Sequence, residues 1–285
     1  MGNENNEKSK ISIWGVIRII LIVILIGVIC YEGVMVYFDQ KEYSIAVNEY
    51  DNIRDKYVVS VKEDIKETDE VGNDSRDTGA DDGLDEEYYP KLDIDFSALK
   101  EVNPDFIGWL YFPAISSINY PVVKEKTINQ YLYKTFEGVP NKAGCIFMDV
   151  LSDPEFCGMS DMLFGHNMKN GSMFGALKVL YKNKDEDILG DEPYIYIYTE
   201  DKVLKYRIFS YYRTTDGSFS YTEVKTEDDY DKYLDYVKKC SMIDIPKDIS
   251  FDDYPSLLTL STCAGQHGSG VRFVVHSVKI AAYDK

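Results

Sequence analysis

Near its amino end the chain carries an unbroken apolar run, residues 11–31, whose one charged residue is Arg18. About 20 such residues are enough for a helix to cross the hydrocarbon core of a bilayer. A buried helix of a soluble domain would instead be polar on one face. No small-residue cleavage site follows the run, which favours an uncleaved signal anchor over a signal peptide that is removed. The run therefore predicts a single-pass transmembrane helix over residues 11–38.

The orientation of this helix follows from the basic residues beside it. Lys8 and Lys10 precede the run and Arg18 lies within it, and the acidic residues nearby count for little in the positive-inside rule. We expect residues 1–10 to form a cytoplasmic tail. Everything after about residue 38 is then expected outside the cytoplasm, held at the cell membrane.

Residues 39–90 are predicted to be a stalk and an acidic linker. Apolar residues three or four apart in residues 39–65 predict a helical stalk. Residues 61–90 hold 12 acidic and 3 basic residues, a net charge of −9 and half of the formal −18 of the chain. Such a segment is typical of a solvated spacer, with a specific acidic docking site as the alternative. The acidity argues against a nucleic-acid partner, which would need basic patches.

Residues 91–285 have the composition of a folded domain. Short runs rich in Ile, Val, Tyr and Phe predict eight strands and a mostly β fold, a closed or nearly closed β-barrel. Peripheral helices are predicted before Pro104, at residues 171–182 and at residues 226–243, where Thr226 and Asp229 resemble a capping box. The predicted strands are residues 109–112, 119–123, 144–148, 161–164, 194–199, 203–213, 257–262 and 272–280.

Five cysteines are spread along the chain without a C-x-x-C pair: Cys30, Cys145, Cys157, Cys240 and Cys263. This spacing indicates neither a zinc site nor a disulfide framework, so no metal or cofactor is expected. Cys145 is interpreted as a core residue, and at least one thiol is expected to be free.

Cys263 ends one apolar strand, and Arg272 opens the next. Alternation places Thr259, Ser261 and Cys263 on one face, which we expect to line a cleft or face solvent. If the two strands form an antiparallel hairpin, the loop of residues 264–271 brings Cys263 beside Arg272. A guanidinium near a thiol favours the reactive thiolate, and its donors can hold a developing oxyanion.

A cysteine nucleophile also needs a proton carrier, and the chain has three histidines. His276 lies four residues along the strand from the arginine, too far from Cys263. His267 could reach Cys263, but it lies at a loop tip, which is a poor place to hold a catalytic geometry fixed. His166 follows a predicted strand directly, and Gly165 permits a sharp exit from that strand. His166 is therefore the candidate.

At this point the sequence resembles the sortases, membrane-anchored cysteine transpeptidases of Gram-positive bacteria. "TLSTC" at residues 259–263 is similar to the T-L-x-T-C signature of that family, and Arg272 in "VRFVV" matches the sortase arginine. "FGHNMKNGSMFGALK" at residues 164–178 resembles the Y-G-H-N-M-K-D-G-S-M-F pattern of class B sortases. The resemblance covers about residues 103–280.

The resemblance implies an eight-stranded sortase barrel with a long helix before the cysteine strand, which matches residues 226–242. It implies Cys263 as the nucleophile and His166 as the acid and base. Arg272 would orient the substrate and stabilise the oxyanion. These are the roles that the residues themselves required.

Substrate binding is where the sequence departs from the family pattern. Phe164 replaces the tyrosine of Tyr-Gly-His, so a hydrogen bond from that position to the substrate is lost. Ala264 stands where some relatives carry a polar residue. Ser261 and Thr262 flank the nucleophile and are expected to shape the acyl pocket, although Thr262 is equally suited to internal packing.

The family resemblance implies cleavage of a C-terminal sorting signal after a threonine and transfer of the acyl product to an amine of the cell wall. The partners would be the sorting-signal peptide of a surface protein and peptidoglycan or its lipid-linked precursor. Three alternatives stay open. They are a cysteine peptidase with water as the acceptor, a sortase that polymerises pilin subunits, and an anchored binding module without catalysis.

Overall fold

The computed structural model describes four stretches of the chain, residues 13–60, 89–183, 186–265 and 268–285. Two compact units are present, Met1–Ile45 and Ala46–Lys285. The predicted cytoplasmic tail and almost all of the acidic linker lie outside the described residues.

Helix α1, Ile13–Tyr57, contains the predicted membrane anchor. Among the described residues it is the one helix long and apolar enough to cross a membrane, judged by length and composition. The helix continues to Tyr57 and so includes part of the predicted stalk. Its last turns, from Ala46 onward, belong to the second compact unit. Strand β1, Val58–Ser60, follows at once and pairs with β2, Leu92–Ile94.

The second unit is built around a closed barrel of eight strands, which confirms the predicted fold class. The barrel strands are β3 (Phe106–Tyr111), β4 (Asn119–Lys124), β5 (Ile146–Met148), β6 (Ser160–Phe164), β7 (Tyr194–Tyr198), β8 (Lys202–Thr215), β9 (Leu257–Cys263) and β10 (Val271–Asp284). Their order around the barrel is β10-β8-β7-β3-β4-β5-β6-β9. The β4–β5 and β6–β9 pairs are parallel, and every other barrel pair is antiparallel.

Strand β10 is longer than the sequence predicted because it pairs with β8 to its end, Asp284. A register shift lies between Lys279 and Ala281, and the strand continues past it with partly buried and exposed residues in alternation. The strand prediction relied on runs rich in Ile, Val, Tyr and Phe, so it stopped at residue 280, where two alanines follow.

Besides the end of α1, three helices in the described part of the second unit lie outside the barrel ladder: α2 (Phe96–Val102), α3 (Val179–Lys182) and α4 (Glu227–Cys240). The predicted capping box is present, since Asp229 N–H donates to Thr226 Oγ1 and Thr226 N–H donates to the Asp229 carboxylate, both at 3.1 Å. The helix predicted at residues 171–182 is a 3-10 helix, Phe174–Lys178, followed by the single turn of α3.

One predicted face is corrected by the structure. Thr259, Ser261 and Cys263 were expected to line a cleft or face solvent. Cys263 is exposed, and Ser261, although only 1% exposed, lines the same cavity as Cys263, so the correction concerns Thr259, which is 0% exposed and is not part of that cavity wall. Helix α4 covers Thr259, whose Oγ1 lies 3.3 Å from the hydroxyl of Tyr233 on that helix. The cover comes from a distant part of the chain, so strand alternation alone could not reveal it. Cys145 is fully buried, as predicted.

Candidate active site

Cys263 and Arg272 lie directly opposite each other across the antiparallel β9–β10 ladder. The predicted hairpin is therefore present. Residues opposite each other in such a ladder point to the same face, with their Cα atoms about 4.5–5.5 Å apart. The Cys263 thiol is exposed at the end of β9, and the Arg272 side chain is 28% exposed.

His166 lies on the other side of Cys263. Strand β6 runs parallel to β9, and their last pair is Phe164 with Ser261. The contact continues past the strand ends, because Gly165 N–H donates to the Ser261 carbonyl at 3.2 Å and Thr262 Oγ1 donates to the Gly165 carbonyl at 2.7 Å. The residues that follow Gly165 and Thr262 in these two segments are His166 and Cys263.

Gly165 is required for packing rather than for an unusual backbone angle. Gly165 was expected to permit a sharp exit from the strand, but its φ is not among the positive ones, so a left-handed backbone conformation is not what selects glycine here. A Cβ at this position would lie 2.5 Å from Ile146 Cδ1 and 2.7 Å from Phe174 Cδ2. The absence of a side chain lets the strand end seat against the core just before His166.

The His166 imidazole is held by a backbone carbonyl. Its Nε2 lies 2.6 Å from the Leu132 oxygen, and its ring packs at 5.6 Å, centroid to centroid, from the ring of Tyr133. A carbonyl only accepts, so Nε2 carries the proton and a neutral ring keeps Nδ1 as its acceptor. Burial lowers the pKa of His166 below 6.5, partly offset by the bond to Leu132.

Arg272 is oriented by an acidic residue that sequence reasoning did not find. Arg272 Nη2 lies 3.4 Å from the carboxylate of Asp216, which follows the end of β8. The Asp216 N–H also donates to the Gly270 carbonyl at 2.9 Å, which ties this carboxylate to the start of β10. No motif marks Asp216, because only the barrel closure brings the two strands together.

A cavity of about 270 Å³ joins these groups. His166, Cys263 and Arg272 all line it, and so do the three predicted substrate-binding residues. Those are Phe164, Ser261 and Thr262. The remaining walls come from Gly165, just after β6, and from β5 and its flanking segments, at Glu125, Ile128, Asn129, Leu132, Phe147 and Asp149.

The hydroxyls beside the nucleophile are already engaged within the protein. Ser261 Oγ lies 2.8 Å from the hydroxyl of Tyr221, and Thr262 Oγ1 bonds to the carbonyl of Gly165. Tyr221 also stacks on Phe164, with ring centroids 6.3 Å apart. Sequence reasoning missed Tyr221, because it lies in a short 3-10 helix before α4, Phe219–Tyr221, and belongs to no motif. Ser261 and Thr262 therefore shape the cavity wall through the positions they hold.

The other two histidines are accounted for separately. His276 is fully buried, and its Nδ1 lies 2.9 Å from Thr259 Oγ1, away from the cavity. Burial lowers its pKa to about 3, so it is neutral at physiological pH. His267 lies outside the described residues.

Comparison with known proteins places this geometry in a family. The family model described as the sortase domain matches residues 110–280. Sortase B of Staphylococcus aureus is 30% identical over 188 residues, which cover 65% of this chain and 74% of that protein. Sortase B of Listeria monocytogenes is 33% identical over 166 residues, 58% of this chain and 65% of that protein.

Solved structures agree with the sequence comparison. The crystal structure of Clostridium perfringens sortase B matches with a TM-score of 0.59 and 29% identity, covering 66% of this chain and all of that one. A Staphylococcus aureus sortase B–substrate complex matches with a TM-score of 0.57 and 28% identity, covering 65% and 84% of the two chains. A sortase B complexed with triglycine matches with the same TM-score and identity, covering 65% and 85%.

Proposed function

The chain belongs to the class B sortases, a family of cysteine transpeptidases, and we propose that Cys263 is its nucleophile, His166 its acid and base, and Arg272 its oxyanion-binding group. One observation carries the assignment. Cys263 ends β9 with Arg272 opposite it on β10 and with the segment bearing His166 bonded to it on the β6 side. A thiol, a proton carrier and a cation thus converge on one cavity.

In the first step the Cys263 thiolate attacks the carbonyl carbon of the threonine in a sorting signal. The carbonyl oxygen becomes an oxyanion, and the fork of the Arg272 guanidinium can donate two hydrogen bonds to it. The tetrahedral species collapses when the C–N bond breaks. The leaving amine takes a proton from His166, and the acyl group remains on sulfur as a thioester.

In the second step a primary amine attacks the thioester carbon. His166 accepts a proton from that amine, the C–S bond breaks, and the thiolate of Cys263 is restored. The net change exchanges one amide for another, so no external energy source or redox partner is required. His166 must act as an acid first and a base second, which suits an imidazole that exchanges its proton near neutral pH.

The proposed substrate and acceptor are those that the family resemblance implies, and two solved sortase B complexes support them. The proposed substrate is a peptide of a surface protein with a threonine before the cleaved bond, as the family resemblance implies, and the existence of a sortase B–substrate complex supports binding of a substrate at this site. The acceptor is an amino group of peptidoglycan or of its lipid-linked precursor, in line with a sortase B complexed with triglycine. The anchor in α1 would hold the catalytic domain on the outer face of the membrane.

The test uses the full chain in detergent micelles with a library of Pro-x-Thr peptides. We expect an adduct on Cys263, seen by intact mass, that lacks the part of the peptide after the threonine. Adding triglycine should convert the thioester to a new amide. Hydrolysis alone, with no amine-dependent product, would favour the peptidase alternative. Transfer to a pilin-type lysine and not to a wall-peptide amine would favour the polymerising one.

A matched control separates catalysis from binding. Cys263→Ala should give no adduct at all, whereas Cys157→Ala should behave like the parent, because both thiols are exposed but only one lies in the cavity. An adduct in the Cys263→Ala variant would contradict the assignment of the nucleophile.

A further inference from the structure

The last turns of α1 are packed against the barrel unit. Four residues of this helix are buried: Ala46, Glu49, Tyr50 and Ile53. They recur every three or four positions, so they share one face of the helix. The sequence assigned this segment to the stalk, yet its buried face belongs to the same compact unit as the active site.

Tyr50 joins this helix to two backbone groups of the following segment. It is 3% exposed, its hydroxyl donates to the Gly144 carbonyl at 2.6 Å, and it accepts from Phe136 N–H at 3.3 Å. Its neighbour Glu49 accepts from Glu137 N–H at 3.0 Å. These are buried bonds to residues between β4 and β5, the segment that also contains Leu132.

Gly144 lies against the carbonyl that holds His166. Its φ is +59°, and a Cβ there would lie 2.5 Å from the Leu132 oxygen. The next residue, Cys145, donates its N–H to the Tyr131 carbonyl at 3.1 Å. The Leu132 oxygen in turn accepts from His166 Nε2 at 2.6 Å. The hydroxyl of Tyr50 is therefore separated from the imidazole by two backbone contacts.

A second route leads from Tyr50 to the same histidine. The Tyr50 ring packs edge-on against the ring of Tyr120 at 5.5 Å, and the Tyr120 hydroxyl accepts from Met173 N–H at 3.0 Å. Met173 is bridged to Asn167, the residue after His166. The first route ends at the imidazole of His166, and the second ends at the backbone of the next residue, Asn167.

We propose that Tyr50 is a positioning residue for His166, and that the end of α1 is a working part of the catalytic unit rather than a spacer. Through Gly144 and Leu132 it fixes the carbonyl that selects the Nε2–H form of the imidazole. Through Tyr120 and Met173, Tyr50 fixes the segment that begins at Asn167, directly after His166. This inference rests on the proposed role of His166 as the acid and base.

The test is the Tyr50→Phe variant of the full chain, which keeps the ring and removes the hydroxyl. The control is Tyr57→Phe, on the same helix. In Tyr50→Phe, kcat should fall about three- to tenfold with KM little changed, which corresponds to the loss of one buried hydrogen bond. The Tyr57→Phe control should match the parent.

A direct readout is the pH titration of His166, followed by NMR on histidine-labelled protein, which needs no turnover. Because burial is the main cause of its lowered pKa, loosening the segment should raise the His166 pKa toward 6.5 in Tyr50→Phe. An unchanged titration and pH–rate profile would overturn the proposal, even if the variant were less stable, because the role of Tyr50 would then be structural. A shift in the His166 titration supports the role of Tyr50 even if the protein transfers no peptide. The absence of peptide transfer would count only against the proposed function.

Discussion

The side-chain amide of Asn167 donates to the backbone carbonyl of Cys263 at 2.6 Å. This bond fastens the segment that carries His166 to the strand end that carries Cys263, the proposed nucleophile. The bond joins a side chain to a backbone carbonyl. It therefore fixes the distance between the two segments and leaves the imidazole of His166 and the thiol of Cys263 unoccupied.

Changing Asn167 to Asp should slow the transpeptidation, because a carboxylate cannot donate to the Cys263 carbonyl and repels it. We expect about a tenfold loss in kcat/KM, because the hydrogen bond is lost and a negative charge is placed against the carbonyl. Asn170→Asp is the control, since the Asn170 oxygen accepts from Ser172 and a carboxylate keeps that role. Equal activity of the two variants, measured with a fluorogenic peptide, would show that the Asn167 bond is not needed.

Replacing Arg272 by Ala should reduce kcat about 10²- to 10³-fold while the melting temperature stays within a few degrees, because the guanidinium is partly exposed and its proposed role is to stabilise the transition state. Arg272→Lys should recover only part of the loss, since an ammonium lacks the planar fork of donors. Near-normal turnover in Arg272→Ala would contradict its role.

Asp216→Asn should have a smaller effect than either change of Arg272. The Asp216–Arg272 pair is 3.4 Å long and Asp216 is 59% exposed, so it orients the arginine more than it stabilises the fold. We expect a two- to fivefold rise in KM that shrinks as salt is added, because exposed ion pairs are screened. Kinetics at two ionic strengths would check this, and a salt-independent defect would point to another cause.

His276 should make the folded domain sensitive to acid. Its pKa is lowered from 6.5 to about 3 by burial, so the unfolded chain binds a proton that the folded chain does not. The free energy of unfolding should therefore fall as the pH decreases from about 6.5 toward about 3. Asp161 acts in the opposite sense, because burial raises its pKa from 3.8 to about 6 and its contribution weakens as the pH rises through that range.

Comparing the parent with His276→Phe separates the contribution of the histidine to the free energy of unfolding from the opposing contribution of Asp161. The difference in free energy of unfolding between the two should be constant above pH 6.5 and should move in favour of the variant below it. Thermal unfolding across this pH range gives the comparison. Parallel curves at all pH values would show that folding does not lower the pKa of His276.

The sequence was sufficient to predict the barrel and to propose three catalytic residues that line one cavity. Strand alternation is a local property, and the Cys263–Arg272 neighbourhood follows from one hairpin. The features that the sequence did not predict depend on contacts between distant parts of the chain. The burial of Ser261 depends on the segment before α4, and the partner of Arg272 comes from the end of β8. Neither leaves a pattern in any short window.

The end of α1 was missed for a related reason. Its residues have the helical spacing that the sequence indicated, but a helix next to a membrane anchor has no local feature that shows which of its faces will be covered. The hydrogen bonds of Glu49 and Tyr50 go to residues more than 80 positions away. Only the closed barrel brings those residues to the helix.

The parallel pairing of β6 with β9 has a consequence for how such enzymes can diversify. Parallel strands end at the same edge of a sheet, so His166, just after β6, and Cys263, at the end of β9, share one rim of the barrel. The chain between the two strands passes through β7, β8 and α4 before it returns. Insertions, deletions or wholesale exchange within the surface loops of that long connection can therefore alter what the enzyme recognises. The two reacting groups keep their spacing, because the ladder sets it and the length of chain between them does not.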